Sequence, residues 1–199
     1  GSLRTWKNCH NYAYSFSQIA THKDYVDWQA NVLDGLSKVT VRYYDSKISK
    51  DGVNHQAHYK LETGAHPFYT LLHNRWYNGR VKTISLHDLK LLDWQFAAIW
   101  YMDDGYRLKS QFNTHDGNVF LCTDNFSHAE VIMLQKAIYE KLGVPFDVSP
   151  RGTKKSGTKI FRLKARKNNA RRFIDGIAPY IHPTFEYKLY SKQDTPTDL

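Results

Sequence analysis

The sequence predicts an α+β fold (mixed α/β), built as two pseudo-symmetric units within 199 residues. Two observations lead there. A ten-residue pattern recurs, and a second, distant match shares its spacing. Strand-like and helix-like periodicities then follow both copies. An apolar helix ending in two aspartates falls between them.

Residues 17–26 read SQIATHKDYV and residues 123–132 read TDNFSHAEVI. Thr21 aligns with Ser127, His22 with His128 and Asp24 with Glu130, so the copies lie 106 positions apart, 22 against 128. Each carries the S/T-x-x-D/E signature of a capped helix start, in which hydroxyl and acid satisfy orphan N–H groups reciprocally. Tyr25, Val26, Trp28, Val32, Leu33 and Leu36 continue the first helix, and Val131, Ile132, Leu134, Ile138 and Leu142 the second. The same spacing lays Lys82 over Lys188, which divides the chain into units 1–85 and 86–199.

Strands are predicted at Lys38–Tyr44 and His58–Thr63 in the first unit and at Thr158–Ala165 in the second. Phe161, Leu163 and Ala165 fall on one side of the last, Thr158, Arg162 and Lys164 on the other. Thr40, Arg42 and Tyr44 alternate likewise with Val39, Val41 and Tyr43. One face of each sheet can bury against helices while the other stays solvated or meets a charged partner.

Charge selects among such partners. The chain has 28 Lys or Arg against 19 Asp or Glu, a net +9. Residues 1–105 hold 12 basic and 10 acidic residues, whereas 106–199 hold 16 and 9. Between Val148 and Ile174 there are ten Lys or Arg and no acid. A basic surface points to a polyanion, nucleic acid before anionic membrane. Cys9 and Cys122 form no CxxC pair, and no signal peptide or membrane-length run is visible. The expected setting is intracellular, with no secretion and no membrane partner. Walker loops, GxGxxG, HExxH and nucleophile elbows are absent from the sequence, and the histidines lack metal or HNH spacing.

Leu86 to Gly105 reads as a helix, apolar nearly all round after Trp94, and therefore buried. Ala97 and Ala98 would admit a second helix closely. Gly105 suits a helix C-terminus. Asp103 and Asp104 sit at the negative end of the helix dipole, where a carboxylate costs about 0.3–1 kcal/mol. Two readings stay open: a solvated Asp-Gly turn, or a site whose hard oxygens hold a divalent cation.

WYMDDG between two like halves resembles the second signature helix of the LAGLIDADG homing endonucleases, in the branch reading LAxWxMDDG. The order that follows fits the branch: the capped helix, a basic strand pair, then Pro179-Tyr180 and Tyr187-Lys188-Leu189. The resemblance implies two signature helices side by side, a saddle-shaped antiparallel sheet per unit lying in the DNA major groove, and a staggered, Mg²⁺-dependent cut in a long double-stranded DNA target. It implies Asp104, with Gly105, at the metal, a signature helix about residues 90–105, and Lys82 and Lys188 near the cleavage centres. Arg42, Tyr44, His58, Lys60, Lys154, Lys155, Arg162, Lys164 and Arg166 are the expected DNA-contacting residues.

A first signature helix is missing from the sequence. Gly1-Ser2-Leu3 matches the residues that follow a first motif, with Gly1 as the motif glycine. Three arrangements are open: a longer protein, a separate polypeptide or peptide carrying that helix, or its loss. An intron RNA maturase, or a DNA-binding protein that does not cleave, is the alternative function on the same fold.

Overall fold

A computed structural model describes residues 1–6, 9–48, 52, 54–108, 117–154 and 156–189. The chain forms two compact units, Gly1–Tyr77 and Asn78–Leu199. The segment expected to close the first unit instead travels with the second. Ile84 donates its N–H to the Glu130 carboxylate at 3.0 Å, and Leu89 and Leu92 enter the second core.

In the first unit, β1 (Ser2–Arg4), β2 (Ala13–Ile19), β3 (Val39–Tyr44) and β6 (His58–Thr63) form an antiparallel sheet ordered β1-β2-β6-β3. The β3–β6 connection carries a small ribbon of β4 (Lys47–Ile48) and β5 (Asn54–His55). Helix α1 (Lys23–Asp34) packs on the sheet, and α2 (Pro67–Trp76) follows it. Phe16, Tyr25, Val26, Leu61 and Tyr69 make the core. Val32 and Leu36, expected on the apolar stripe of α1, are exposed, because the buried face runs through Tyr25, Val26 and Gln29.

The ribbon strands β7 (Tyr77–Asn78) and β8 (Val81–Lys82) precede the short turn of helix α3 (Leu86–Leu89). Then come α4 (Trp94–Asp104), β9 (Gly105–Leu108), β10 (Asn118–Leu121), α5 (His128–Leu142), β11 (Asp147–Thr153), β12 (Lys159–Ala165) and α6 (Lys167–Ile177). Two 3-10 segments, Ala178–Tyr180 and Pro183–Lys188, follow α6. The sheet is ordered β9-β10-β12-β11, the first sheet's topology again. Register makes the match residue by residue: Phe16 pairs with Leu61 as Leu121 pairs with Leu163, all four buried.

Two local expectations fail for stated reasons. The helix predicted from Leu86 is broken. Ser85 caps α3, and Asp93, in an extended conformation, accepts from the Phe96 N–H at 2.7 Å and begins α4 afresh. Only the second capping box forms: Ser127 and Glu130 satisfy each other's backbone N–H groups at the start of α5. The first copy passes through a 3-10 turn, Ala20–His22, that places Thr21 inside the turn, so α1 starts at His22 without a side-chain cap. Among the described residues no helix is long and apolar enough to cross a membrane.

Candidate active site and nucleic-acid surface

Helix α4 is held in the second core by Ala97, Ala98, Tyr101 and Met102, none more than 2% exposed. It packs on α6. Tyr101 meets Phe173 edge-on at 5.9 Å, and Gly176 lets the Trp94 ring lie where a Cβ would stand 2.3 Å away. This packing fixes the axis of the helix and so the position of its last residue, Asp104, which is exposed. The carbonyl of Asp104 accepts from the Cys122 N–H at 3.1 Å, tying the helix end to the strand edge after β10.

Gly105 is not a left-handed cap. Its backbone is extended, with φ −98° and ψ 157°, and already belongs to β9. Glycine is needed because an added Cβ would lie 2.2 Å from Tyr101 Cδ2 and 2.7 Å from the Tyr101 backbone.

Lys188 resolves the unfavourable helix end. Its Nζ donates to the carbonyls of Met102 at 2.6 Å, Gly105 at 3.0 Å and Tyr101 at 3.3 Å. An ammonium there offsets the negative pole of α4. The segment bearing it is pinned in return: the Tyr101 hydroxyl donates to the Lys188 carbonyl at 2.9 Å and Arg107 to the Leu189 carbonyl at 2.6 Å. Burial lowers the Lys188 pKa below the ordinary lysine value, against the pull of Asp103 and Asp104. Burial raises the Tyr101 and Cys122 pKa values.

Asp104 fits a hard divalent ion, offering an exposed carboxylate on a fixed helix end. Gly105, the other expected ligand, offers a backbone carbonyl that accepts from the Lys188 ammonium at 3.0 Å and keeps a second lone pair. Among the described residues no three His, Cys, Asp or Glu side chains form a metal cluster. Lys82 is half-buried on β8 in the second unit.

Each sheet presents a polar face opposite its core. In the first unit, register sets Arg42 beside Lys60 and Tyr44 beside His58, whose rings stack at 5.2 Å. Glu62 lies among them, 2.7 Å from Lys60 and 3.5 Å from Arg42. In the second unit, Arg162 and Lys164 lie on the face of β12 opposite the buried Leu163 and Ala165. Lys154 is exposed at the β11–β12 turn, and Arg166 pairs with Asp147 at 3.0 Å. Lys155 lies outside the described residues.

Sequence reasoning missed the carboxylates of these faces. Glu62 is in phase with Lys60 and legible by alternation, whereas Asp124 sits in the turn after β10, where no period applies. Tyr106 was uninterpretable from sequence. Its ring stacks on Phe120 at 4.9 Å, and its hydroxyl accepts from Arg162 at 3.2 Å.

Two like α+β units, one with a buried helix ending in an exposed aspartate, define the LAGLIDADG class of fold. A model of the LAGLIDADG DNA endonuclease family matches residues 1–173, and the chain belongs to that family. It is 23% identical over 176 residues to the cytochrome b mRNA maturase bI2 of Debaryomyces hansenii, covering 87% of this chain and 63% of that protein. The RecA proteins of Mycobacterium leprae and Mycolicibacterium flavescens are each 28% identical over 114 residues, 54% of this chain but 16% and 26% of theirs. The chain thus spans less than two thirds of these curated relatives. The homing endonuclease I-WcaI, solved bound to its DNA recognition sequence, shares the fold, with a TM-score of 0.77 and 21% identity over 94% of this chain and 79% of that one.

Proposed function

We propose that this chain is a site-specific DNA endonuclease of the homing type, which makes a metal-dependent staggered cut in double-stranded DNA. The observation that carries the reading is the exposed carboxylate of Asp104 at the end of a buried, lysine-capped helix. Mg²⁺ is the expected ion; held at Asp104, it supplies charge neutralisation at a phosphodiester and lowers the pKa of water. Lys188 holds the helix end on which Asp104 is presented. Lys82 is its counterpart by the repeat spacing and serves the other cleavage centre. Polar residues of the sheet faces supply phosphate contacts that set register and base contacts that read sequence.

A second carboxylate is required for the second strand. Ser2 pairs with Ser15, so Gly1 falls opposite Phe16 as Gly105 falls opposite Leu121. By register Gly1 therefore corresponds to Gly105, the residue that follows α4.

The test is end-mapping by deep sequencing of source genomic DNA incubated with the chain and Mg²⁺, with Asp104→Asn as control. Paired staggered ends at one locus, absent in the control, are expected when the first helix is supplied. Nicks confined to one strand are expected without it. Cleavage that survives in Asp104→Asn would overturn the assignment of that residue.

The similarity to a maturase over most of the chain favours a second reading, an RNA-binding splicing factor. Filter binding of duplex DNA against structured intron RNA separates the two, and a salt-resistant preference for RNA would displace the endonuclease.

A further inference from the structure

The polar face of the second sheet contains one arginine held differently from the other cations. Arg162 donates from Nε to one Asp124 oxygen at 2.6 Å and from Nη2 to the other, and from Nη1 to the Tyr106 hydroxyl at 3.2 Å. A guanidinium has five N–H donors. Three are used here, which leaves one on each terminal nitrogen. The bidentate carboxylate fixes the plane of the fork, and the Tyr106 ring, itself stacked on Phe120, supports it from below at 5.6 Å. The side chain is 17% exposed, so it is rigidly packed yet open to solvent.

The corresponding place in the first unit is built otherwise. Lys60 precedes Leu61 as Arg162 precedes Leu163, and both leucines occupy the same register position. An ammonium is a rotating point charge that suits a phosphate, whereas a planar fork with two parallel donors suits two adjacent acceptors. In the major groove that pair is presented by guanine, through O6 and N7.

We propose that Arg162, held by Asp124 and Tyr106, is a specificity-determining residue that reads one guanine in the major groove of the target. Asp124 and Tyr106 are positioning residues that act through it. The Asp104 carbonyl accepts from the Cys122 N–H at 3.1 Å, two residues before Asp124, so the guanine lies at the cleavage-proximal end of its half-site. The inference rests on the duplex-DNA reading proposed above.

Repeated selection from a randomised duplex library, with EDTA present so that nothing is cut, gives the preferred sequence of the full chain. Competition titration then compares all four bases at each position for wild type, Asp124→Asn and Arg162→Lys. One guanine position is expected to lose about tenfold to hundredfold of its discrimination in both variants. The other positions keep their preferences. Tyr106→Phe, which removes one hydroxyl, is expected to weaken the same position less. Thermal unfolding of each variant is measured alongside.

A uniform loss of affinity at every position, following a loss of stability, would make the Arg162–Asp124 pair structural and overturn the assignment. Binding with no guanine-dependent loss overturns it too, leaving the DNA reading in place. Failure of the wild-type chain to select any duplex overturns both.

Discussion

Lys188 Nζ lies 2.6 Å from the carbonyl of Met102, two residues before Asp104. A residue 84 positions downstream of Asp104 thus completes the helix that presents it, 188 against 104. Two aspartates at a helix C-terminus look like a mistake only while the helix is viewed alone. With an ammonium on the last-turn carbonyls of Tyr101 and Met102 and on that of Gly105 just beyond, the end is electrostatically balanced, and Asp104 remains exposed.

Replacing Lys188 by methionine keeps most of the buried stem and removes the cap. Charged hydrogen bonds of this kind contribute about 1.5–3 kcal/mol, and here buried carbonyls lose their donor. The variant is expected to lose about 2 kcal/mol in urea unfolding. Its cleavage should fall further than its DNA binding, because Asp104 is no longer held. A variant as stable as wild type would show that the cap contributes nothing.

The titration of Lys188 gives a pH test. Burial depresses its folded pKa below the ordinary 10.5. Between the depressed value and 10.5 the unfolded chain binds more protons than the folded one, so this group's contribution to stability rises with pH. The melting-temperature gap between wild type and Lys188→Met is therefore expected to widen as pH rises towards 10.5. A gap that narrows over that range would contradict the burial of a charged lysine here.

Gly105→Ala tests the other constraint on the same junction. The new methyl would stand 2.2 Å from Tyr101 Cδ2, against a side chain that is fully buried and cannot move aside. Overpacking of this sort costs about 1–3 kcal/mol. Left-handed backbone is not involved, so asparagine, which tolerates that conformation, is expected to do no better than alanine in thermal unfolding. Rescue by asparagine would show that conformation, not space, selects glycine.

These junctions mark the limit of what the sequence shows. Period-two alternation revealed β3, β6 and β12, the 106-residue spacing the duplication, and the apolar run after Trp94 the Asp104 helix, whereas β1, β2, β9, β10 and β11 went unread. The broken helix at Asp93 was hidden because Leu86–Leu92 continues an apolar pattern across the break. The false capping box at Thr21 shows the converse: the right residues at the right spacing, shifted into a 3-10 turn that the pattern does not encode. Lys188 was found through its repeat partner, but its bonding was not, since a lysine-to-carbonyl contact across more than 80 residues leaves no trace in periodicity. Asp124 and Tyr106 were missed for the same reason: each gains its role only when three strands bring it to Arg162.

Glu62 makes the last prediction, on the first sheet. It lies 2.7 Å from Lys60 and 3.5 Å from Arg42, on the face that also carries His58 and Tyr44. Facing a duplex, its carboxylate would repel phosphate and occupy two cations that could otherwise contact the backbone. Glu62→Gln frees both without changing side-chain size. Affinity for an arbitrary duplex is expected to rise, and the slope of log K against log salt to steepen by up to about two units, roughly 0.9 for each added phosphate contact. Selectivity should fall, because the gain is the same for every sequence. Salt titrations of wild type and variant on one random duplex read the slope directly. An unchanged slope would mean that the polar face of β3 and β6 does not lie against the nucleic-acid backbone.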